Sequence, residues 1–114
     1  MKILMVCLGN ICRSPLAEGI LQAKVNSKGL QIKVDSAGTG GWHVGQGPDH
    51  RAVAIANKYG IDISQQQARQ FSSTDFEGFD IIYAMDGSNL SDIVSLANSN
   101  KEIEKVRLIL NEIN

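Results

Sequence analysis

The chain has 114 residues, of which 43% are hydrophobic and 20% charged, and its formal net charge is −1. These values exclude a wholly disordered chain and predict one globular domain over residues 1–114. The near-zero charge and the lack of an apolar run of roughly 18 residues argue against nucleic-acid and membrane partners.

The chain begins with a predicted strand followed by a predicted helix. Residues 3–6 form a continuous apolar run, which is typical of a strand buried on both faces. Apolar residues then recur at helical spacing over residues 15–28. Ser14 is suited to the N-cap and Pro15 to the first helical position, and Gly29 is suited to the end of this helix.

A second strand and a second helix follow. Residues 31–36 alternate apolar and polar side chains, which predicts an edge strand, and the glycine-rich residues 37–48 predict a loop. Asp49 can cap the second helix, and Gly60 can end it. The predicted apolar face of this helix consists of Ala52, Ile55, Ala56 and Tyr59.

The second half of the chain repeats the alternation. Residues 81–85 form another fully apolar strand, Ser88 opens a helix, and residues 106–110 form the last strand. The helix that Ser88 opens has an apolar face of Leu90, Ile93, Val94 and Ala97. Before these elements we expect a short strand or irregular piece near Ile63 and a helical turn over residues 74–78.

Strands that alternate with helices predict an α/β fold with right-handed crossovers. The two fully apolar strands belong at the centre of the sheet and the other two at its edges. We therefore predict an open, doubly wound, four-stranded parallel sheet in the order 2-1-3-4, with helices on both faces. In such a fold the loop after the first strand lies at the switch point where ligands bind.

The chain has two cysteines, Cys7 and Cys12, and two histidines, His43 and His50. Small secreted scaffolds carry more cysteines, spread along the chain, so we predict a reducing compartment, the cytoplasm. Both histidines lie in a glycine-rich stretch, where a structural zinc site is not expected.

The loop after the first strand has the pattern of an anion-binding site. Cys7 and Arg13 enclose five residues, Leu8, Gly9, Asn10, Ile11 and Cys12. A loop of this length can turn several backbone N–H groups towards one centre, which also faces the positive end of the following helix. The guanidinium of Arg13 can bind two oxygens of a phosphate-like anion.

A thiol at the floor of that loop is expected to be reactive. The field that attracts phosphate also favours a thiolate at Cys7, and the Ser14 hydroxyl can donate a hydrogen bond to it. Gly9 and Asn10 tolerate the positive φ that the reversal of the loop needs. The pattern predicts phosphoryl transfer to sulfur followed by hydrolysis. A cysteine at a strand end is often only a core residue, but the whole pattern favours the reactive site.

Residues 7–15 resemble the signature loop of the low-molecular-weight protein tyrosine phosphatases. The resemblance continues, in order along the chain, in residues 35–39, 41–45, 48–49, 51–52, 68–70, 85–86 and 106–108. It implies the fold predicted above, a phosphocysteine intermediate, and no metal or cofactor. The implied partners are phosphotyrosine proteins and small aryl phosphates.

The resemblance also implies roles for single residues. Cys7 would be the nucleophile, Arg13 would hold the phosphoryl oxygens, and Ser14 would stabilise the thiolate. Asn10 would brace the loop. Trp42 would form an aromatic wall for the substrate ring, with a cap on the core as the alternative.

Cys12 matches the second loop cysteine of the family. The resemblance implies that it can form a disulfide with Cys7 under oxidation and so protect the nucleophile. The alternative is a small apolar side chain packed under the loop.

The chain departs from the family near its end. Family members carry an Asp-Pro loop, whose Asp is the general acid, and a final helix. Here no Asp follows Asp92 and no Asp-Pro occurs. We therefore interpret the chain as a fragment lacking the final helix. Its activity should be weak except towards activated aryl phosphates, because general acid catalysis contributes about 10²–10⁴-fold.

Three further expectations concern the bare sheet face, Asp86 and Gln66. The missing helix should leave one sheet face bare and prone to self-association. Asp86 could lie near the rim of the site. Gln66 stands where some relatives have a histidine that supports the loop serine, and Gln could hydrogen-bond in its place.

Two other functions remain open from the sequence. A non-catalytic oxyanion-binding protein would bind phosphate without forming a phosphoenzyme. An arsenate reductase shares the loop and the fold but needs further cysteines, and none follows Cys12.

Overall fold

A four-stranded parallel sheet in the order β2-β1-β3-β4 forms the centre of the molecule. The computed structural model describes residues 1–112. Its strands are β1 Lys2–Cys7, β2 Lys33–Gly38, β3 Ile81–Ala84 and β4 Val106–Leu108. Its helices are α1 Arg13–Ser27, α2 His50–Lys58, α3 Asp75–Gly78, α4 Gly87–Val94 and α5 Asn100–Ile103, followed by a 3₁₀ turn at Ile109–Glu112. The predicted fold class and strand order are confirmed.

The central position of β1 explains why its sequence is apolar on both faces. Leu4 and Val6 pack into one core with aromatic residues and α4, and Ile3, Met5 and Cys7 face the other side, towards α1. Side chains alternate in this way because successive residues of a strand point to opposite faces. The alternation places the Cys7 side chain at the end of β1, on the side of the sheet that α1 covers.

Helix α1 begins two residues earlier than the sequence suggested. Cys12 is its N-cap, so the prediction of Ser14 as N-cap and Pro15 as first helical residue is wrong. The Ser14 hydroxyl instead contacts the Cys7 sulfur. Pro15 is tolerated at the third helical position, since an N–H there would lack a partner within the helix. The predicted end is confirmed, because Gly29 follows the helix with a φ of 66°.

Helix α2 is capped as predicted, but its face is only partly buried. The Asp49 carboxylate accepts from the Arg51 backbone N–H at 2.8 Å. Helix α1 packs against α2. The residues of the predicted face divide between the core, where Ala52 and Ala56 lie, and the surface, where Ile55 and Tyr59 are 49% and 77% exposed. The prediction of one buried face was wrong for the two large residues, which line an apolar groove with Leu16, Ile20 and Ile61.

The second half of the chain differs from the prediction at its boundaries. Helix α4 begins at Gly87 rather than Ser88, because Asp86 caps it by accepting from the Asn89 N–H at 2.8 Å. The helical turn predicted over residues 74–78 is confirmed as α3, and Ile63 lies in irregular chain, which is one of the two forms predicted for it. Strand β4 ends at Leu108, where the 3₁₀ turn follows, instead of continuing to residue 110. Helix α5 was not predicted from the sequence.

An apolar groove lies between α1 and the sheet, beside β1 and β3. It is lined by Ile3, Met5, Ala17, Ile20, Leu21, Tyr83 and Ile109 and by the Lys24 side chain. Self-association through this face stays a prediction. Over residues 1–112, none of the helices has the length and apolar character needed to cross a bilayer.

Candidate functional site

Most backbone carbonyls of the loop after β1 are bound by neighbouring segments. Four of them accept hydrogen bonds of 2.6–3.2 Å from backbone N–H groups outside the loop: Cys7, Leu8, Ile11 and Cys12, from Thr39, Gly40, Asp49 and Leu16 respectively. In a trans peptide the next N–H points opposite to the carbonyl. The N–H groups turned to the inner side are therefore those of Leu8, Gly9, Cys12 and Arg13. This arrangement can bind an anion.

Asn10 holds the loop together. It is buried, and its φ of 58° is the left-handed conformation that the sequence analysis anticipated. Its Nδ2 donates to Ser14 Oγ at 2.8 Å and to Ser36 Oγ at 2.9 Å. Its Oδ1 accepts from the Arg69 backbone N–H at 3.0 Å. One side chain thus ties α1, β2 and the segment after α2 to the loop.

The Cys7 sulfur is buried and receives hydrogen bonds from two sides. The Asn10 N–H donates to it at 3.2 Å, and Ser14 Oγ lies 2.9 Å away. Because Ser14 Oγ already accepts from the Asn10 amide, its single hydrogen is available for the sulfur. Two donors aimed at one sulfur stabilise a thiolate, which is the nucleophilic form of cysteine.

Two glycines leave space for the loop, each in a different way. Gly9 does not adopt a positive φ. A Cβ there would instead lie 3.1 Å from Cδ2 of His43. A Cβ at Gly38 would lie 2.7 Å from the Leu8 carbonyl oxygen, so the end of β2 can approach the loop only as glycine. No pattern in the sequence pointed to this packing role of Gly38.

Arg13 is held by a carboxylate at the end of β3. Its Nη1 lies 2.9 Å from Oδ2 of Asp86, and both side chains are partly exposed. The hydrogen bond from the Asn89 N–H and the one from Arg13 hold the pKa of Asp86 below its ordinary value. Asp86 therefore stays ionised and orients the guanidinium, and it is a poor proton donor. The sequence had placed Asp86 near the rim but did not show this pairing.

A cleft of about 320 Å³ opens beside the loop. Leu8 and Trp42 are exposed there, Trp42 by 69%. The Trp42 ring lies directly on Gly40, since a Cβ at Gly40 would be 1.9 Å from Cζ3 of the ring. The cleft is completed by Thr39 and, from α4 and the turn after it, by Asp92, Ser95 and Leu96. No sequence signal pointed to these last three residues.

The remaining loop residues occupy two environments. Ile11 is half-buried, and Cys12 is exposed at the start of α1. The alternative that Cys12 packs under the loop is wrong, because its side chain faces solvent. Both cysteines are free thiols, and their oxidation to a disulfide stays a prediction.

Gln66 supports α1 rather than the loop serine. Its Nε2 donates to the Pro15 carbonyl at 3.2 Å, so its bond goes to the helix backbone and not to Ser14. Among residues 1–112, no three His, Cys, Asp or Glu side chains lie close enough together to hold a metal ion.

Comparisons with known proteins agree with the geometry. The family profile described as low molecular weight phosphotyrosine protein phosphatase matches residues 2–114. The protein of that description from Schizosaccharomyces pombe is 48% identical over 95 residues, which are 81% of this chain and 60% of the relative. The chain thus spans less than two thirds of that relative's length.

Solved structures show the same fold. The crystal structure of YfkJ from Bacillus subtilis matches with a TM-score of 0.95 at 40% identity, covering 100% of this chain and 72% of that chain. The structure of DARP, a drosophila arginine phosphatase, matches with a TM-score of 0.88 at 40% identity, covering 95% of this chain and 70% of that one.

Proposed function

The chain belongs to the low molecular weight phosphotyrosine protein phosphatase family, and on that premise we propose that it hydrolyses phosphotyrosine in proteins and small aryl phosphates through a phosphocysteine. The observation that carries this proposal is the Cys7 sulfur, which lies 2.9 Å from Ser14 Oγ in a loop of which four carbonyls accept hydrogen bonds from N–H groups outside the loop. This geometry favours a thiolate at Cys7 beside a site where the loop can bind a phosphoryl group.

The proposed reaction has two displacement steps at phosphorus. The loop N–H groups and Arg13 bind the phosphoryl oxygens, and the Cys7 thiolate attacks phosphorus. A sulfur–phosphorus bond forms while the phosphorus–oxygen bond to the aryl group breaks, and the aryl oxide leaves. Water then attacks phosphorus, the sulfur–phosphorus bond breaks, and phosphate and the thiolate are released. Ser14 stabilises the sulfur anion before the first step and after the second.

Formation of the phosphocysteine tests the proposal directly. Acid quenching after mixing with p-nitrophenyl phosphate should give a peptide that carries one phosphoryl group on Cys7, detected by mass spectrometry. A chain that binds phosphate but never forms this adduct would be an oxyanion-binding protein instead. Thioredoxin-coupled reduction of arsenate would instead identify an arsenate reductase.

The phosphoryl donor can also be compared. One structural neighbour is named an arginine phosphatase. Release of phosphate from matched peptides that carry phosphotyrosine or phosphoarginine decides which donor this chain prefers, and we propose phosphotyrosine. Because the mechanism needs a reduced thiol at Cys7, we also propose that the protein works in a reducing compartment such as the cytoplasm.

The rate of the 114-residue chain should depend strongly on the leaving group. The carboxylate paired with Arg13 is Asp86, and its lowered pKa makes it a poor acid. We expect p-nitrophenyl phosphate, whose phenolate leaves without a proton, to form the phosphoenzyme about 10²–10⁴-fold faster than phenyl phosphate. Rapid-quench measurements with a series of substituted phenyl phosphates give this dependence.

A rate of phosphoenzyme formation that does not change with the leaving group would contradict this expectation, because it would mean that a group of the chain protonates the leaving oxygen. Asp92 lines the cleft, so Asp92→Asn is the matching control. The slope of the series should be the same in this variant and in the parent chain.

The Trp42 ring should contribute to substrate binding through its position on Gly40. Gly40→Ala places a methyl group where the ring now lies, and the exposed ring can swing away without disturbing the fold. We expect KM for p-nitrophenyl phosphate to rise by roughly 2- to 10-fold, the value of one aromatic contact. Steady-state kinetics measure KM, and inhibition by inorganic phosphate should not change.

The control for this variant is Gly78→Ala, where an added Cβ meets no atom within 4 Å. Its KM should equal that of the parent chain. If Gly40→Ala also kept the parent KM while the ring had moved, as seen by Trp fluorescence, Trp42 would have no role in binding the substrate.

A further inference from the structure

The cleft beside the loop has room for more than the aryl ring of a substrate. Its volume is about 320 Å³, which lies within the range of pockets that hold whole small molecules. One side is formed by Leu8 and Trp42, from the loops after β1 and β2, and the other by Asp92, Ser95 and Leu96, from α4 and the turn after it. The proposed reaction gives the α4 side no role. Parts of a substrate beyond the phosphotyrosine ring can therefore occupy it.

Asp92 gives this cleft its charge. Of the described residues that line the cleft, Asp92 is the one with a charged side chain, and it is exposed. Within residues 1–112 its carboxylate takes part in no ion pair and no hydrogen bond, whereas Asp86, the N-cap of the same helix, is paired with Arg13 at 2.9 Å. An unpaired carboxylate on the wall of a cleft attracts a cation.

The apolar residues of the cleft suit the stem of a basic side chain. Leu8, Leu96 and Trp42 are 49%, 45% and 69% exposed, respectively. Arginine and lysine place their methylene stems on apolar surface of this kind and keep the charged head in polar surroundings. A guanidinium or an ammonium is also attracted to the face of a tryptophan ring. An acidic side chain in the same place would be repelled by Asp92.

Helix α4 places Asp92 at a distance from the loop that a neighbouring residue of a peptide can span. At the start of the helix, Asp86 holds the guanidinium of Arg13, which belongs to the phosphoryl site. Asp92 follows six residues later, which corresponds to roughly 9 Å along a helix axis. Consecutive Cα atoms of a peptide are about 3.8 Å apart. A long side chain one or two residues from phosphotyrosine can therefore reach Asp92.

We propose that Asp92 is a specificity-determining residue, which selects phosphotyrosine peptides that carry an arginine or a lysine within two residues of the phosphotyrosine. The stem of that basic side chain packs on Trp42 and Leu96, and its charged head pairs with the Asp92 carboxylate. This inference rests on the proposed function, because it names a class of substrate for the same site. Asp92 contacts the substrate but none of the reacting atoms.

A set of matched peptides measures this preference. Each is an alanine peptide with one phosphotyrosine and one variable residue, placed in turn at the two positions before and the two positions after it. The variable residue is arginine, its neutral isostere citrulline, or glutamate. At the best position we expect kcat/KM for phosphate release to be roughly 2- to 10-fold higher with arginine than with citrulline, and lower with glutamate than with citrulline. The preference should shrink at about 0.5 M salt, because exposed charges are screened.

Two variants of Asp92 test the origin of the preference. Asp92→Asn keeps the size of the side chain and should make arginine and citrulline peptides equal, and Asp92→Lys should make the glutamate peptide the best of the three. Glu77→Gln is the matched control, since it removes the same charge from an exposed residue of α3 that does not line the cleft. It should keep the parent ratio. Because each ratio compares two peptides on one variant, a change in overall rate cancels.

Two outcomes would overturn the inference. One is a parent chain that treats arginine and citrulline peptides alike at every position, and the other is an arginine preference that persists in Asp92→Asn. If no peptide is hydrolysed, the proposed function fails, and the same peptides are then compared by calorimetric binding to the Cys7→Ser chain. An arginine preference that Asp92→Asn removes would support the role of Asp92 in that measurement, and equal affinities would refute it.

Discussion

Replacing Cys7 with serine is expected to abolish phosphoenzyme formation and to lower turnover by roughly 10⁴–10⁶-fold. The two donors at this position stabilise an anion, but a serine hydroxyl does not ionise near neutral pH even with the bonds from Ser14 and the Asn10 N–H. Stopped-flow measurement of p-nitrophenol release, together with mass spectrometry of the quenched protein, gives both quantities. The variant should still bind inorganic phosphate, since the loop N–H groups and Arg13 are unchanged.

The matched control is Cys12→Ser, the same atomic change at the exposed cysteine five residues along the chain. It should keep turnover within a few-fold of the parent chain and should still give the phosphoryl adduct on Cys7. Turnover by Cys7→Ser at the parent rate would show that the phosphoryl group never passes through that sulfur. In that case the whole assignment of the loop fails.

Arg13→Ala should lower the rate of phosphocysteine formation by roughly 10³–10⁵-fold, the range found for arginines that stabilise phosphoryl transfer. The transition state spreads negative charge over the phosphoryl oxygens, and the guanidinium, held by Asp86 at 2.9 Å, is oriented before substrate binds. Single-turnover kinetics separate this rate from the later hydrolysis. Affinity for phosphate should fall as well, because a bound dianion loses its side-chain cation.

Arg13→Lys tests geometry against charge at the same position. Lysine keeps the charge but lacks the planar pair of donors, so it should recover only a small part of the lost rate. Arg51→Ala is the control, because the Arg51 side chain is 80% exposed and pairs only loosely with Asp49 at 3.3 Å. Equal rates for the parent chain and Arg13→Ala would exclude the guanidinium from the transition state.

The fold could be predicted because its signals are local. Apolar runs at β1 and β3, and helices between the strands, predict the sheet order without long-range information. The errors have physical reasons. The N-cap propensity of serine favours Ser14 as a helix cap. In the folded chain the cap is Cys12, and the Ser14 hydroxyl contacts the Cys7 sulfur instead. On α2 the buried side chains are those of Ala52 and Ala56, while the large side chains of Ile55 and Tyr59 remain exposed.

From residue chemistry alone, the candidate site was predictable where its parts are neighbours in sequence, whereas Trp42 was predicted from the family resemblance. Cys7, Asn10 and Ser14 lie within eight consecutive residues, and the structure brings their side chains and backbone together. Asp86 comes from a separate element, and its contact with Arg13 depends on which helix packs on which strand. The sequence alone does not show which guanidinium a carboxylate will contact in the folded chain.

The geometry of Asn10 limits which residues can replace it during evolution. Its backbone is left-handed, its amide nitrogen donates twice, and its amide oxygen accepts once. Glycine suits that backbone but has no amide, aspartate suits it but has no hydrogens to donate, and glutamine has the amide on too long a stem. Position 10 should therefore tolerate almost no substitution, because each alternative residue loses either the left-handed backbone or one of the three hydrogen bonds.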